Sequence, residues 1–387
     1  MIKSVKVMLI PNNKQQSKMF QYVGASRFAY NWALAKQQEN YKDGGKFISD
    51  GDLRKEFTQF KKQEEYSWLN SISNNVTKQA IKDACDSYKR FFKGYSKFPR
   101  FKSKKRSKAS FYQDNCKIKF TETHVKVEGF TSSKKKNKQK INWIRLSEKG
   151  RIPTNCKYSN PRISFDGINW WISVGIEYEN KLEMPTSQGI GIDLGIKDLA
   201  ICSDKYVYKN INKTKEVKKI EKKRRRLQRQ VSRKYELNRE GRSYKETSNI
   251  KKLKKELLKV NRRLTNIRHN YLHQTTTEII NRKPIFIVLE SLNVVGMMKN
   301  KHLAKAIQQQ CFYEFYRQIQ YKCLWNNIKF IEADRFYPSS KTCSECGSVK
   351  KQLKLSEREY ICEECGCVID RDYNASVNLM KYGQSIA

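Results

Sequence analysis

Three acidic side chains and four cysteines carry the chemistry that can be read in this sequence. Asp193 stands inside the apolar run Gly189-Ile-Gly-Ile-Asp-Leu-Gly, Glu290 ends Pro284-Ile-Phe-Ile-Val-Leu-Glu, and Asp372 opens Asp370-Arg-Asp-Tyr-Asn-Ala-Ser after a change of pattern. A carboxylate in or at the end of a buried apolar strand is costly unless something compensates its charge. Singly, each has an ordinary explanation, because Asp372 is a good helix cap and acidic residues often end strands. In the order strand–Asp, strand–Glu, helix–Asp they form a set of hard oxygen ligands. Such a set can hold two divalent ions roughly 3.5–4 Å apart, one activating water and the other stabilising a leaving oxygen in phosphodiester hydrolysis.

Cys343-x-x-Cys346 and Cys362-x-x-Cys365 offer four thiolates in two close pairs, the ligand set of a closed, structural Zn²⁺ site. Gly347 and Gly366 follow the second cysteine of each pair, where a tight knuckle turn is easiest for glycine. Chance pairing or a redox Cys-x-x-Cys is the competing explanation. Cys367 is an extra thiol that could compete as a ligand.

The elements that must position these groups follow from periodicity. Lys3–Ile10 alternates like a strand, and Pro11 ends it. Apolar residues then recur at intervals of three and four over Gln16–Lys36, Leu53–Phe60 and Val76–Phe92, so residues 12–96 read as a helical module. The segment Phe98–Tyr112 interleaves aromatic rings with cations, which suits either a nucleic acid strand or a solvated basic loop. Short alternating runs over 117–179, with a Lys-rich loop at Ser132–Lys140, predict a small β-barrel. If the opening strand joins it, residues 1–11 and 97–185 form one domain and the helical module is an insertion.

The pattern changes again near residue 186. Residues 214–273 read as two basic antiparallel helices. Within them Lys222-Lys-Arg-Arg-Arg, including Arg224 and Arg225, continues around a helix with a packing seam and is expected to face phosphates. A strand at 284–290, a long helix from about His302 to Asn326, a strand at 329–337 and a final helix near Asp372 complete the second domain. The predicted fold class is α+β and multidomain: a helical module inserted in a small β-barrel, followed by an αβ domain over 186–340 and 368–387. A zinc ribbon at 341–367 interrupts that domain.

The chain has 387 residues, with 80 Lys and Arg against 38 acidic residues and a formal net charge of +42. Such a charge repels itself unless a polyanion neutralises it. Lysine-rich codon bias is the competing explanation, but it also adds acidic residues and leaves this imbalance unexplained. No run approaches the roughly 20 apolar residues needed to span a bilayer, and no signal-peptide pattern opens the sequence, so an intracellular, soluble protein is expected. The 11 cysteines are mostly scattered singly, which argues against a disulfide framework.

The motifs Gly191-Ile-Asp-Leu-Gly-Ile-Lys, Leu289-Glu-Ser-Leu-Asn, Asp334-Arg-Phe-Tyr-Pro-Ser-Ser-Lys-Thr-Cys-Ser-Glu-Cys-Gly and Asp370-Arg-Asp-Tyr-Asn-Ala-Ser resemble, in order and spacing, the TnpB family of bacterial insertion sequences, relatives of the type V CRISPR nucleases. The resemblance implies an RNase H-like (RuvC) nuclease domain in which Asp193, Glu290 and Asp372 bind two Mg²⁺ ions and cut DNA, with a module holding one Zn²⁺ inserted before the third acid. Asp372 is preferred over Asp370 because the family's third carboxylate directly precedes the x-Asn-Ala element. The resemblance further implies a guide RNA from the transposon end that pairs with double-stranded DNA beside a short flanking motif. A monomer bound to RNA would then make double-strand breaks. By position, Asn75, Lys78 and Gln79, with Tyr112 and Gln113, are expected at the flanking motif, where amides suit adenine. The competing classes are a nuclease-inactive RNA-guided DNA-binding repressor, a DNA-strand transferase and a ribbon-containing RNA chaperone.

Overall fold

A computed structural model describes residues 2–130, 141–178, 185, 188–354 and 357–386. The Lys-rich loop at 132–140 lies outside the described residues. The chain divides into two compact units, Met1–Glu179 and Asn180–Ala387.

In the first unit, β1 (Ile2–Ile10) leads into α1 (Asn13–Lys42), α2 (Asp50–Phe60) and α3 (Asn74–Phe92). Asn12 caps α1 reciprocally with Gln15, and Ser73 caps α3, so polar side chains set both starts. Strands β2 (Ala109–Tyr112), β3 (Lys119–Phe120), β4 (His124–Lys126), β5 (Trp143–Leu146), β6 (Tyr158–Phe165) and β7 (Trp170–Glu177) follow. They form, with β1, an antiparallel sheet in the order β2-β6-β7-β1-β5-β4-β3. The opening strand thus pairs with β7 and β5, which makes the three helices an excursion from the sheet. One continuous core joins them: Tyr22 of α1 packs edge-on against Phe111 of β2 at 5.4 Å and against Phe130 at 5.1 Å.

The second unit begins with β8 (Ile190–Leu194), β9 (Asp198–Cys202) and β10 (Val207–Lys209). Then α4 (Lys215–Glu236) and α5 (Ser248–Asn281) form a helical hairpin around a two-strand turn, β11 (Arg239–Glu240) and β12 (Ser243–Tyr244), with Gly241 at φ +60°. Its seam is Val217 and Ile220 against Val260 and Leu264, with ion pairs Arg263–Glu216 and Arg268–Glu221 each at 3.0 Å.

Strand β13 (Phe286–Glu290) is followed by α6 (Val294–Met297), α7 (Ala304–Gln310), α8 (Phe312–Trp325) and β14 (Lys329–Ala333). The single long helix expected over 302–326 is instead broken, because Cys311 takes a left-handed conformation (φ 55°, ψ 43°) between α7 and α8. After the cysteine region come β15 (Glu359–Ile361), β16 (Val368–Asp370) and α9 (Arg371–Ile386).

The main sheet of this unit has the order β10-β9-β8-β13-β14, with β8, β13 and β14 parallel. β13 is a continuous apolar run because both its faces are covered. Ile287 and Leu289 pack with residues of α5 and α8, whereas Phe286 and Val288 pack with Leu379 of α9. Among the described residues no helix is long and apolar enough to cross a membrane.

Candidate carboxylate and cysteine centres

The parallel register pairs Ile192 with Leu289, so the next residues along, Asp193 and Glu290, fall side by side at the carboxyl ends of β8 and β13. That is where open αβ sheets place their ligands. α9 brings the third acid. It lies so close on β8 that a Cβ at Gly191 would stand 2.1 Å from the Ser376 carbonyl oxygen and 2.4 Å from the Met380 nitrogen. Glycine in Gly191-Ile-Asp is therefore what lets the helix carrying Asp372 reach the strand carrying Asp193.

The two acids at the start of α9 have different duties. Asp370 Oδ1 accepts hydrogen bonds from the backbone N–H of Asp372 and of Tyr373, each at 3.0 Å, and so caps the helix. Asp372 sits in the first turn with Arg371 at 3.2 Å and Arg358 at 3.9 Å.

Burial raises the Asp193 carboxyl well above the usual carboxylate range, with Glu290 and then Asp372 adding repulsion; Arg371 only tempers it. Three carboxylates from distant segments thus feel one another's charge. Ser339 donates its hydroxyl to Glu290 Oε1. Hard oxygen donors with an uncompensated negative charge fit Mg²⁺. Among the described residues only the four cysteines bring their ligand atoms within 4.8 Å of one another. The oxygens of Asp193, Glu290 and Asp372 do not all come that close to one another.

Cys343, Cys346, Cys362 and Cys365 gather as their spacing predicts. Sγ separations are 3.6 Å for Cys343–Cys365 and for Cys346–Cys362, close to the roughly 3.8 Å edge of a tetrahedron with Zn–S bonds of about 2.3 Å. The two knuckles repeat: Cys343 N–H donates to Ser348 O and Cys362 N–H to Cys367 O, each at 2.8 Å, with Gly347 and Gly366 at φ +80° and +70°. A hydrogen bond with Ser348 Oγ, then one from the Cys365 backbone N–H, holds the Cys362 thiol down to about 6, which favours the metal-binding thiolate. Cys367 stands outside the cluster and contributes its carbonyl.

The residues expected at a flanking DNA motif converge on one face of the first unit. Gln79 Nε2 donates to Asp83, which grips Arg162 bidentately at 2.7 and 2.8 Å, and Arg162 lies 6.0 Å from the centre of the Tyr112 ring. Asn75 Nδ2 donates to Glu128, and Lys78 is exposed. Gln113 is 1% exposed; its Oε1 accepts from Glu128 N–H and its Nε2 donates to Tyr112 O, so here it holds backbone. On α4, Arg225 is exposed, whereas Arg224 is half-buried with its Nε enclosed.

A putative RNA-guided DNA endonuclease of Streptomyces pristinaespiralis is 30% identical over 98% of this chain and 89% of its own length. The chain belongs to the TnpB family. Another relative, the putative RNA-guided DNA endonuclease InsQ of Escherichia coli K12, is 29% identical over 100% of this chain and 93% of its own. This TnpB-family chain also matches the families described as "Probable transposase" over residues 173–301, "Helix-turn-helix domain" over 1–46 and "Cas12f1-like, TNB domain" over 312–379. Its fold resembles the protein chain in the cryo-EM structure of a Cas12f1–sgRNA–target DNA complex, with a TM-score of 0.64, 13% identity and 98% of each chain covered.

In this TnpB-family structure several groups around the carboxylates escape prediction from sequence. Ser339, Arg371, Asn374 and Asn378 surround the acids or the loop beside them. The spacing Asn374, Asn378 on a helix is the one signal available, since two amides four residues apart share a face.

Proposed function

We propose that this protein is an RNA-guided DNA endonuclease that hydrolyses phosphodiester bonds at Asp193, Glu290 and Asp372. The observation that supports this reading is the register that sets Asp193 and Glu290 side by side at the ends of β8 and β13, with Asp372 at the start of α9 near enough to add to the repulsion felt by Asp193. Bound Mg²⁺, two ions in this reading, would supply an activated water and stabilisation of the leaving oxygen.

The chain's own residues do the rest. Arg371 and Arg358 form ion pairs with Asp372, and Ser339 orients Glu290. A cavity of about 290 Å³ beside Glu290, lined by Ser291, Asn293, Asp334, Arg335 and Ser340, offers donors for a nucleic acid strand. The basic hairpin α4–α5, with Arg224 and Arg225, neutralises phosphates without reading sequence. A guide RNA from the transposon end selects double-stranded target DNA by pairing. Asn75, Lys78, Gln79 and Tyr112 read the short flanking motif, and the four cysteines hold one structural Zn²⁺. The protein acts as a monomer with its RNA, in the nucleoid of a prokaryotic cell.

RNA copurifying with the full chain gives the guide when sequenced, and DNA matching it is then offered with Mg²⁺. Double-strand breaks by the native chain, with Asp193→Ala binding the same DNA but leaving it intact, are expected; equal cleavage by Asp193→Ala sinks the proposal. The match to the family described as "Probable transposase" favours a second reading, a strand transferase, which strand-joined products in the same assay would reveal.

A further inference from the structure

Besides its own turns and a single bridge from Thr342 to Val349, the loop between β14 and the first cysteine knuckle is held by side chains. Its polar backbone groups are buried, and unpaired they would cost stability. Asn378, 2% exposed, donates from Nδ2 to Ser339 O at 2.8 Å and to Thr342 O at 2.6 Å. Asn374, fully buried, donates to Thr342 O at 2.7 Å and accepts from Ser344 N–H at 2.9 Å. Lys381 Nζ donates to Ser344 O, and Tyr337 OH donates to Asn378 O.

α9 thus has two working faces at the same helical spacing. Ser376, Met380 and Gly383 meet the sheet, while Asn374, Asn378 and Lys381 clamp the loop. The clamped loop ends in Cys343 on one side and presents Ser339 on the other. Ser339 is 4% exposed and spends its hydroxyl on Glu290. Asn378 therefore fixes the backbone of Ser339, whose side chain holds Glu290, and it does so from the helix that carries Asp372.

We propose that Ser339 and Asn378 are positioning residues: the asparagine locks the 338–344 loop on α9, and the loop's serine hydroxyl holds the Glu290 carboxylate in register with Asp193 and Asp372. This rests on the reading of those acids as a divalent-cation centre. Neither residue touches the ion. Partners of metal-binding carboxylates at one remove are worth about 10–100-fold in metal affinity or activity.

The probe is Mn²⁺ binding to the full chain with its copurified RNA, followed by the paramagnetic signal of the free ion. The difference between the native complex and Asp193→Ala separates the carboxylate site from ions held by RNA. No such difference removes the cation centre itself, and with it the ground for this inference. Where the difference exists, Ser339→Ala and Asn378→Ala should weaken that Mn²⁺ site about 10–100-fold, with zinc content and DNA affinity unchanged, and Ser339→Thr, which keeps the hydroxyl, should recover most of the loss. Native Mn²⁺ affinity in Ser339→Ala overturns the proposal. If Asn378→Ala loses zinc through misfolding, Ser339→Ala alone decides, because it leaves every backbone bond of the loop in place.

Discussion

Gly191 lies flat against Ser376: a Cβ on the strand residue would stand 2.1 Å from the carbonyl oxygen of the helix residue. Backbone cannot yield as a flexible side chain does, so Gly191→Ala must push α9 off β8. Overpacking of this kind costs about 1–3 kcal/mol. Denaturant titration should show that loss. DNA cleavage should fall more steeply than DNA binding, because the displaced helix carries Asp372. A variant with native stability and native cleavage refutes this account of the close approach.

Asp83 and Arg162 join α3 to β6 in the first unit. Burial pushes the Asp83 carboxyl up, but hydrogen bonds from Arg162 and Gln79 win, and it sits below the usual range. A depressed folded value means the pair contributes fully above the unfolded value of about 3.9 and is lost as pH falls through the folded one. Asp83→Asn should cost about 2 kcal/mol at pH 7. That difference from the native chain should shrink as pH falls below the unfolded value of about 3.9 and through the lower folded one, measured by urea unfolding at each pH.

Lys322 is 8% exposed and donates only to neutral acceptors: His273 O at 3.0 Å, Thr276 Oγ1 at 2.6 Å and Thr277 Oγ1 at 2.7 Å. Burial lowers its ammonium to about 8. The sign is opposite to that of a paired lysine. Between about 8 and the unfolded value of about 10.4 the unfolded chain holds the proton and the folded chain does not, so stability rises with pH. Relative to Lys322→Met, the native chain should gain up to about 3 kcal/mol across that window in chemical denaturation. A flat difference would show that the charge is better solvated than its burial implies.

Gln79 commits one Nε2 hydrogen to Asp83 and stands beside exposed Lys78. An adenine edge needs one donor and one acceptor from the amide. Gln79→Ala should relax the flanking-motif preference, read by cleaving a library of flanks, while Lys78→Ala should weaken binding evenly across flanks. Unchanged preference with normal cleavage in Gln79→Ala excludes that residue as a reader.

Much of this was legible because it rests on local pattern. Asp193 and Glu290 stand out since a strand covered on both faces reads as an unbroken apolar run, and an acid at its end is conspicuous. The cysteines declare themselves by spacing. What stayed hidden depends on distant partners. Gln113 looks like a surface amide until Glu128 and Tyr112 fold around it. The break at Cys311 has no glycine or proline to announce it: a left-handed residue of a type that rarely adopts that conformation interrupts an otherwise helical run. Asn374 and Asn378 gain meaning only once the loop at 338–344 lies beside them.

The order of segments along the chain has one more consequence. Asp372 follows all three parallel strands and the cysteine region, yet must return to Gly191 to complete the trio of acids. A ribosome that stalls, or slips frame, anywhere before codon 372 therefore leaves a product that lacks at least the third acid. Interrupted translation fails safe.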